Sequence, residues 1–188
     1  MSTYLKNITP KALAIVNNIE LERKFTEIVT VHQGIIHKVC GIYCKNDECR
    51  KDLFQEIVMQ LWRSYPSFRG DSKITTWMYR VALNTAISSF RKQVKKPQEE
   101  SITGSIYQIP VVSNRYKQEQ EEEIQFMYKA IEHLSKIEKA IIMLYLEEHS
   151  YEEIAKITGI TKTNVGVKIN RIKGKLQKIL KPVYDEIR

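Results

Sequence analysis

Glycine and proline are scarce in this chain, 7 and 5 among 188 residues, and alternating β-branched segments are few. That excludes sheet architectures, which need turn residues at short intervals, and favours long uninterrupted helices. No run approaches the roughly 18 apolar residues that span a bilayer, and mean hydropathy is −0.37; insertion into a membrane is not expected. Met1 to Pro10 lacks both a basic start and an apolar core, so no secretory signal is expected and a cytoplasmic location follows. Three cysteines, an odd number without an export signal, fit a reducing compartment. Arrangements that carry catalysis are missing too. There is no Ser/His/Asp set, no paired carboxylates and no glycine-rich phosphate loop, so neither an enzyme nor a cofactor is expected.

Carboxylates are absent from two long stretches, and these are the informative ones. Between Ile154 and Tyr184 there is none, against eight basic residues, Lys156, Lys162, Lys168, Arg171, Lys173, Lys175, Lys178 and Lys181. Ser150-Tyr151-Glu152-Glu153 just before has the form of a capping box. Ile154, Ala155 and Ile157 predict a short helix. Thr158-Gly159-Ile160-Thr161 breaks it, with Gly159 suited to a left-handed turn and Thr161 to a new N-cap. Val165, Ile169, Ile172, Leu176, Ile179 and Leu180 then recur at helical spacing. This is the pattern of a helix-turn-helix whose second helix meets phosphates and base edges. A helical hairpin with a solvated basic face is the plainer alternative.

The second such stretch, Ser72 to Lys96, holds Lys73, Arg80, Arg91, Lys92, Lys95 and Lys96 and no carboxylate. A helix is expected from Thr75 or Thr76 to about Gln93. At about 100° per residue, Trp77, Arg80, Asn84, Ser88 and Arg91 fall within roughly one quadrant of it. Aromatic, guanidinium and amide groups on one stripe suit unpaired bases and a phosphate backbone; core roles for Trp77 and Phe68 are the alternative. Before it, Asp52 to Trp62 predicts an amphipathic helix with Leu53, Ile57 and Leu61 as its apolar row. Ser64 to Asp71, containing Pro66 and Gly70, is expected to be a loop.

The net charge of +8 is unevenly placed. Residues 1–96 carry 16 Lys/Arg against 8 Asp/Glu, residues 97–129 carry 3 against 6, and residues 130–188 carry 11 against 8. Two basic bodies on an acidic tether suggest two nucleic-acid surfaces. Periodicity fails near Val94, and Pro97, Gly104 and Pro110 fall in the acidic strip. The expected fold is all-α: two small helical domains over 20–96 and 124–181, joined by a flexible linker over 97–123, the second domain a helix-turn-helix.

Taken together, Asp52-Leu53-Phe54-Gln55-Glu56, Leu61-Trp62, Phe68, Thr76-Trp77-Met78-Tyr79-Arg80-Val81-Ala82-Leu83-Asn84 and Arg91, followed by Tyr151-Glu152-Glu153-Ile154-Ala155, Gly159-Ile160, Asn164-Val165, Arg171 and Leu176, resemble the bacterial RNA polymerase sigma factors of the extracytoplasmic-function (ECF) group. The likeness covers about residues 20 to 181 in order and spacing. Three positions depart from the family pattern. Arg50 stands where a small residue is usual, Leu83 where a basic residue often precedes the Asn, and Asn164 where Thr commonly opens the recognition helix. They bear on promoter preference rather than on class.

The resemblance implies a subunit that directs transcription initiation by binding core RNA polymerase, through its β′ and β subunits, and promoter DNA. It assigns Asp52, Leu53, Gln55 and Glu56 to the polymerase. It assigns Phe68, Arg69, Lys73, Trp77, Arg80, Asn84 and Arg91 to the melted minus-ten element. Lys162, Thr163, Asn164, Val167, Lys168 and Arg171 fall to the minus-thirty-five element. The acidic linker is implied to thread the polymerase, and an anti-sigma factor is a further implied partner.

Two other readings stay open from the residues themselves. A stand-alone helix-turn-helix regulator accounts for 130–188 but leaves Asp52 to Arg91 idle. A decoy that only binds polymerase leaves the basic stripe on 73–96 idle. His37, Cys40, Cys44 and Cys49 could be drawn as zinc ligands, but apolar residues are interleaved with them and zinc sites usually show paired short spacings. Ordinary core or surface thiols are the expectation, with a zinc or redox site as the alternative.

Overall fold

The computed structural model describes residues 10–93 and 126–187, with side chains over 16–89 and 126–181. The expected linker, 97–123, lies outside the described residues. Among these the regular structure is helical throughout: α1 (Pro10–Tyr43), α2 (Asp47–Ser64), a 3₁₀ turn (Tyr65–Ser67), α3 (Ile74–Gln93), α4 (126–132), α5 (Lys136–Leu146), α6 (Tyr151–Thr158) and α7 (Lys162–Ile187).

The first domain packs α1, α2 and α3 against one another. α1 bends at His32, where φ −109° and ψ 15° leave the helical region. α2 starts five residues before the expected Asp52 because Asn46 caps it. The Asn46 side chain accepts from the Cys49 amide at 2.8 Å, and Asp47 and Glu48 complement the helix dipole in the first turn. Leu53, Ile57 and Leu61, the anticipated row, are all buried. They share a core with Ile36, Val39 and Cys40 of α1 and Met78, Ala82 and Ala86 of α3. Pro66 sits inside the 3₁₀ turn rather than an open loop, and Gly70 follows with φ 78°.

The second domain is built on two capping boxes. Ser135 with Glu138 opens α5, and Ser150 with Glu153 opens α6. Gly159 takes the left-handed conformation at φ 74°, and the Thr161 hydroxyl accepts from the Asn164 amide at 3.3 Å to start α7. Ile154 and Ile157 of α6 and Val165, Ile169, Ile172 and Leu176 of α7 are buried, so the apolar row anticipated on the last helix holds over its first four members. Ile179 is exposed.

The two domains touch. α3 lies against α6 and α5, and the buried residues of both domains form one connected cluster. Polar contacts frame this junction. The Tyr43 phenol donates to the Lys136 carbonyl at 2.6 Å, Lys38 pairs with Glu147 at 2.7 Å, Lys45 with Glu132 at 3.3 Å and Lys73 with Glu153 at 3.2 Å. In each of the three ion pairs the cation comes from the basic first domain and the carboxylate from the second. Burial pushes the Tyr43 phenol well above its ordinary range, so it stays a donor at every physiological pH.

Candidate polymerase and nucleic-acid interfaces

α2 turns one face inward and leaves the other open. Asp52 and Gln55 are exposed and Glu56 is half-buried. At about 100° per residue these three share a face with Met59 and Arg63. Met59 is 50% exposed, an apolar centre among polar neighbours of the kind that helix-on-helix contacts use. Its i+4 spacing from Gln55 is the signal in the sequence that marks it as part of this face. Leu53 is corrected. Only 4% of it is exposed, because it begins the row facing α1 and α3, so its side chain supports the helix and does not meet a partner.

The stretch leading into α3 is an aromatic ledge. Phe68 lies 5.1 Å from Trp77 between ring centroids, Tyr65 6.2 Å from Trp77, Phe25 5.5 Å from Tyr65 and Trp62 5.0 Å from Phe25. Trp77 and Phe68 are half-buried, so each ring is held by packing without being enclosed. Along the open side of α3, Arg80, Asn84 and Ser88 are exposed, as is Arg69 in the preceding loop. Met78, Ala82 and Ala86 are buried. The Arg91 side chain lies outside the described residues.

On α7 the expected readers Lys162, Thr163, Asn164, Val167 and Arg171 are exposed and Lys168 is half-buried. Thr163, Val167 and Arg171 follow one another at four-residue spacing and form a stripe. Val167 is 43% exposed, an apolar group among polar neighbours. Asn170, also exposed, borders the same stripe three residues after Val167 and was not singled out in the sequence.

Several cations already have partners within the chain. Lys162 pairs with Glu152, while Lys73 pairs with the adjacent Glu153. Two consecutive glutamates at the start of α6 thus each hold a cation from a different candidate DNA surface. The Ser150 amide, then Lys73, hold the Glu153 carboxyl down at about 2. Further along α7, Lys173 donates to the Tyr145 hydroxyl at 2.7 Å, with its ammonium 4.4 Å from that ring's centroid. Lys175 pairs with Glu138 at 2.6 Å. Burial by itself raises the Glu138 carboxyl, but Lys175 and Ser135 outweigh it and hold the group at about 2.

The cysteines differ from expectation. Cys44 and Cys49 are joined by a disulfide across the α1–α2 corner, Cα–Cα 5.6 Å, and Cys40 is a free buried thiol. His37 is exposed and its ring lies 4.9 Å from the Phe54 ring. Among the described residues no group of three His, Cys, Asp or Glu is placed to share a metal ion, and no helix is long and apolar enough to cross a membrane.

Comparison with known proteins agrees with this geometry. Residues 28–96 match the Sigma-70 region 2 family and residues 127–176 the Sigma-70, region 4 family. The chain is 28% identical over 173 residues to the ECF RNA polymerase sigma-E factor of Escherichia coli strain K12, covering 86% of this chain and 89% of that one. It is 29% identical over 148 residues to the RNA polymerase sigma factor YlaC of Bacillus subtilis strain 168, covering 75% and 83%. Its fold is shared by the sigma factor RpoE of Bartonella quintana, solved in complex with the anti-sigma factor NepR. That likeness has a TM-score of 0.68 and 22% identity, and covers 85% of this chain and 98% of that one. CnrH, solved with the cytosolic domain of CnrY, shares the fold at a TM-score of 0.60 and 17% identity, covering 86% and 90%. The chain belongs to the extracytoplasmic-function group of RNA polymerase sigma factors, and it is a promoter-specificity subunit of the polymerase rather than a stand-alone regulator.

Proposed function

We propose that residues 20–96 bind core polymerase and the minus-ten element, residues 97–123 connect, and residues 124–181 read the minus-thirty-five element. Asp52, Gln55, Glu56 and Met59 on the open face of α2 dock on helices of the β′ subunit, and the second domain meets β. Phe68, Arg69, Lys73, Trp77, Arg80, Asn84 and Arg91 hold the melted strand of the minus-ten element. Bases stack on the half-buried Phe68 and Trp77 rings, and the guanidinium and amide groups meet phosphates and base edges. Lys162, Thr163, Asn164, Val167, Lys168 and Arg171 enter the major groove of the minus-thirty-five element.

The observation that carries this reading is the coexistence of three exposed faces of different chemistry. α2 offers carboxylates and an amide, α3 an amide and a guanidinium beside aromatics, and the start of α7 a mixed polar and apolar stripe. A duplex-binding regulator needs only the last. The chain catalyses no reaction itself and works in the cytoplasm, where polymerase and promoter are. An anti-sigma partner is inferred from the likeness to RpoE, which was solved with one.

The test is initiation from a template library randomised over the two promoter elements, with core polymerase and with or without the chain. Chain-dependent transcripts from a restricted set of sequences are expected. Tight duplex binding by the chain alone, with no effect of core polymerase and no transcript, overturns the reading.

A further inference from the structure

Only Cys44, Lys45 and Asn46 separate α1 from α2, and the Cys44–Cys49 disulfide closes this corner. Both sequence neighbours of Cys44 reach into the second domain: Tyr43 to the Lys136 carbonyl at 2.6 Å and Lys45 to Glu132 at 3.3 Å. The covalent link therefore sits between two of the contacts that hold the domains together. Farther along the junction, adjacent Glu152 and Glu153 hold Lys162 and Lys73, so the two candidate DNA surfaces converge on one end of α6. On the proposed function, on which this inference rests, those surfaces must reach elements about 25 base pairs apart, roughly 85 Å along a duplex at about 3.4 Å per pair. The packed arrangement cannot span that distance. On that reading the two domains must part at the promoter.

We propose that Cys44 and Cys49 are a reversible thiol–disulfide pair that holds the two DNA-reading domains together when oxidised and lets them part when reduced. In a compartment whose thiols are kept reduced, a disulfide between close cysteines is transient and signals redox state. The oxidant is a low-molecular-weight disulfide of the glutathione class. The Cys49 thiolate, half-buried in the first turn of α2, attacks one sulfur of that disulfide and expels a small thiolate, leaving a mixed disulfide. The Cys44 thiolate attacks the Cys49 sulfur and expels the second small thiolate. The two protons given up by the cysteines end on the two small thiols, so one small disulfide is consumed and two thiols are released. A dithiol reductant reverses both steps. Cys40 stays out of the exchange, because burial pushes its thiol up to about 11 and leaves it protonated.

Oxidation fixes Tyr43 and Lys45 against the second domain and favours the closed arrangement. Reduction frees the corner to move when polymerase and promoter pull the domains apart. The test uses the full chain equilibrated with glutathione and glutathione disulfide at defined ratios. Free thiols are counted by alkylation, the radius of gyration is measured by X-ray scattering, and transcripts are counted with core polymerase on the selected templates. One free thiol, a smaller radius and at least fivefold fewer transcripts are expected in the oxidised chain. Three thiols and full initiation are expected in the reduced chain. Cys49→Ser and Cys44→Ser should stay at the reduced level under oxidant, and Cys40→Ser should respond as the native chain does. Cys49→Ser is the safer of the first two because Cys49 is only half-buried. Equal radius or equal transcription in the two states overturns the switch, as does a failure of Cys44 and Cys49 to pair under glutathione disulfide. Absence of transcripts from both states, with pairing intact, instead overturns the proposed function.

Discussion

The Tyr79 phenol of α3 donates a hydrogen bond to the Glu147 carboxylate just beyond α5, joining the first domain to the second. Glu147 also receives Lys38 of α1 at 2.7 Å, and the His149 ring meets the Tyr79 ring edge-on at 5.2 Å. Burial, then Glu147, push the Tyr79 phenol well above its ordinary range, so it remains a proton donor. Tyr79→Phe keeps the ring and removes the bond. Hydrogen bonds to charged groups contribute about 1.5–3 kcal/mol, and a loss of that size is expected in urea unfolding. A native midpoint for Tyr79→Phe would show that this bond adds nothing to the junction and would leave Glu147 held there by Lys38 alone.

Stability at low pH follows from Glu138 and Glu153, both held at about 2 against an ordinary 4.5. A carboxyl whose folded value is depressed stabilises the native chain above its unfolded value. That contribution is lost as pH falls from about 5 through about 2. Thermal melts should show a steady fall across this window. Glu138→Gln removes the ionisable group and the charge on Lys175's partner, so the variant should melt lower at pH 7 and lose less than the native chain on acidification. Parallel curves for the two proteins would show that the Lys175 pair is not coupled to folding.

The local signals in the sequence were sufficient for the elements that depend on local chemistry. Ser150 and Glu153, Gly159 and Thr161 fix their turns through their own side chains or backbone freedom, and the structure places each as its residue type dictates. The i, i+4, i+8 row of α2 marked its buried face. That same row should have kept Leu53 from being assigned to a partner. α1 was harder to read because Val16, Ile19 and Val31 are 56%, 59% and 69% exposed and blur the periodicity of Phe25, Ile36, Val39 and Tyr43. The junction and the Cys44–Cys49 pair were not legible. Tyr43 and Lys136 are 93 residues apart, and no spacing rule links residues that meet only after both domains have folded. The thiols are close in sequence, but their pairing depends on the angle at which α1 turns into α2.

The polymerase face predicts that Asp52→Ala, Gln55→Ala and Met59→Ala each weaken binding to core polymerase. An interface centre typically costs about 2 kcal/mol or more when truncated, roughly thirtyfold in affinity. Exposed substitutions shift stability by no more than about 0.5 kcal/mol. Ile57→Ala is the contrasting variant. Ile57 is fully buried, so about 2–5 kcal/mol of stability should go, with any binding loss following from unfolding. Unchanged affinity in all three surface variants would move the docking site off α2.

Strand opening should depend on Arg80 and Asn84 without involving core binding. A side-chain contact to a base edge is worth about 1–3 kcal/mol, so Arg80→Ala and Asn84→Ala should slow open-complex formation about 5- to 150-fold. Permanganate reactivity of unpaired thymines reads the bubble directly. Trp77→Ala is a poorer probe, because the ring also supports Phe68 and Tyr65; its unfolding curve must be compared first. Identical footprints in the Arg80 and Asn84 variants would leave the stripe with a structural role only.

Readout and positioning should separate along α7. Asn164 and Val167 are exposed in its first two turns, where an inserted helix meets base edges. Lys178, exposed near the far end, can reach only phosphates. Lys175 is unsuited to this comparison because it holds Glu138 at 2.6 Å, and its loss would disturb α5. Asn164→Ala and Val167→Ala should cost about 1–3 kcal/mol at one or two promoter positions and relax preference there. Lys178→Ala should weaken all promoters about equally and lower the salt slope by about one unit. The measurement is transcription from a set of minus-thirty-five variants at two salt concentrations. If Asn164→Ala and Val167→Ala scale every promoter by the same factor, α7 contributes charge rather than sequence recognition, and the specificity of this sigma factor must reside in the α3 surface.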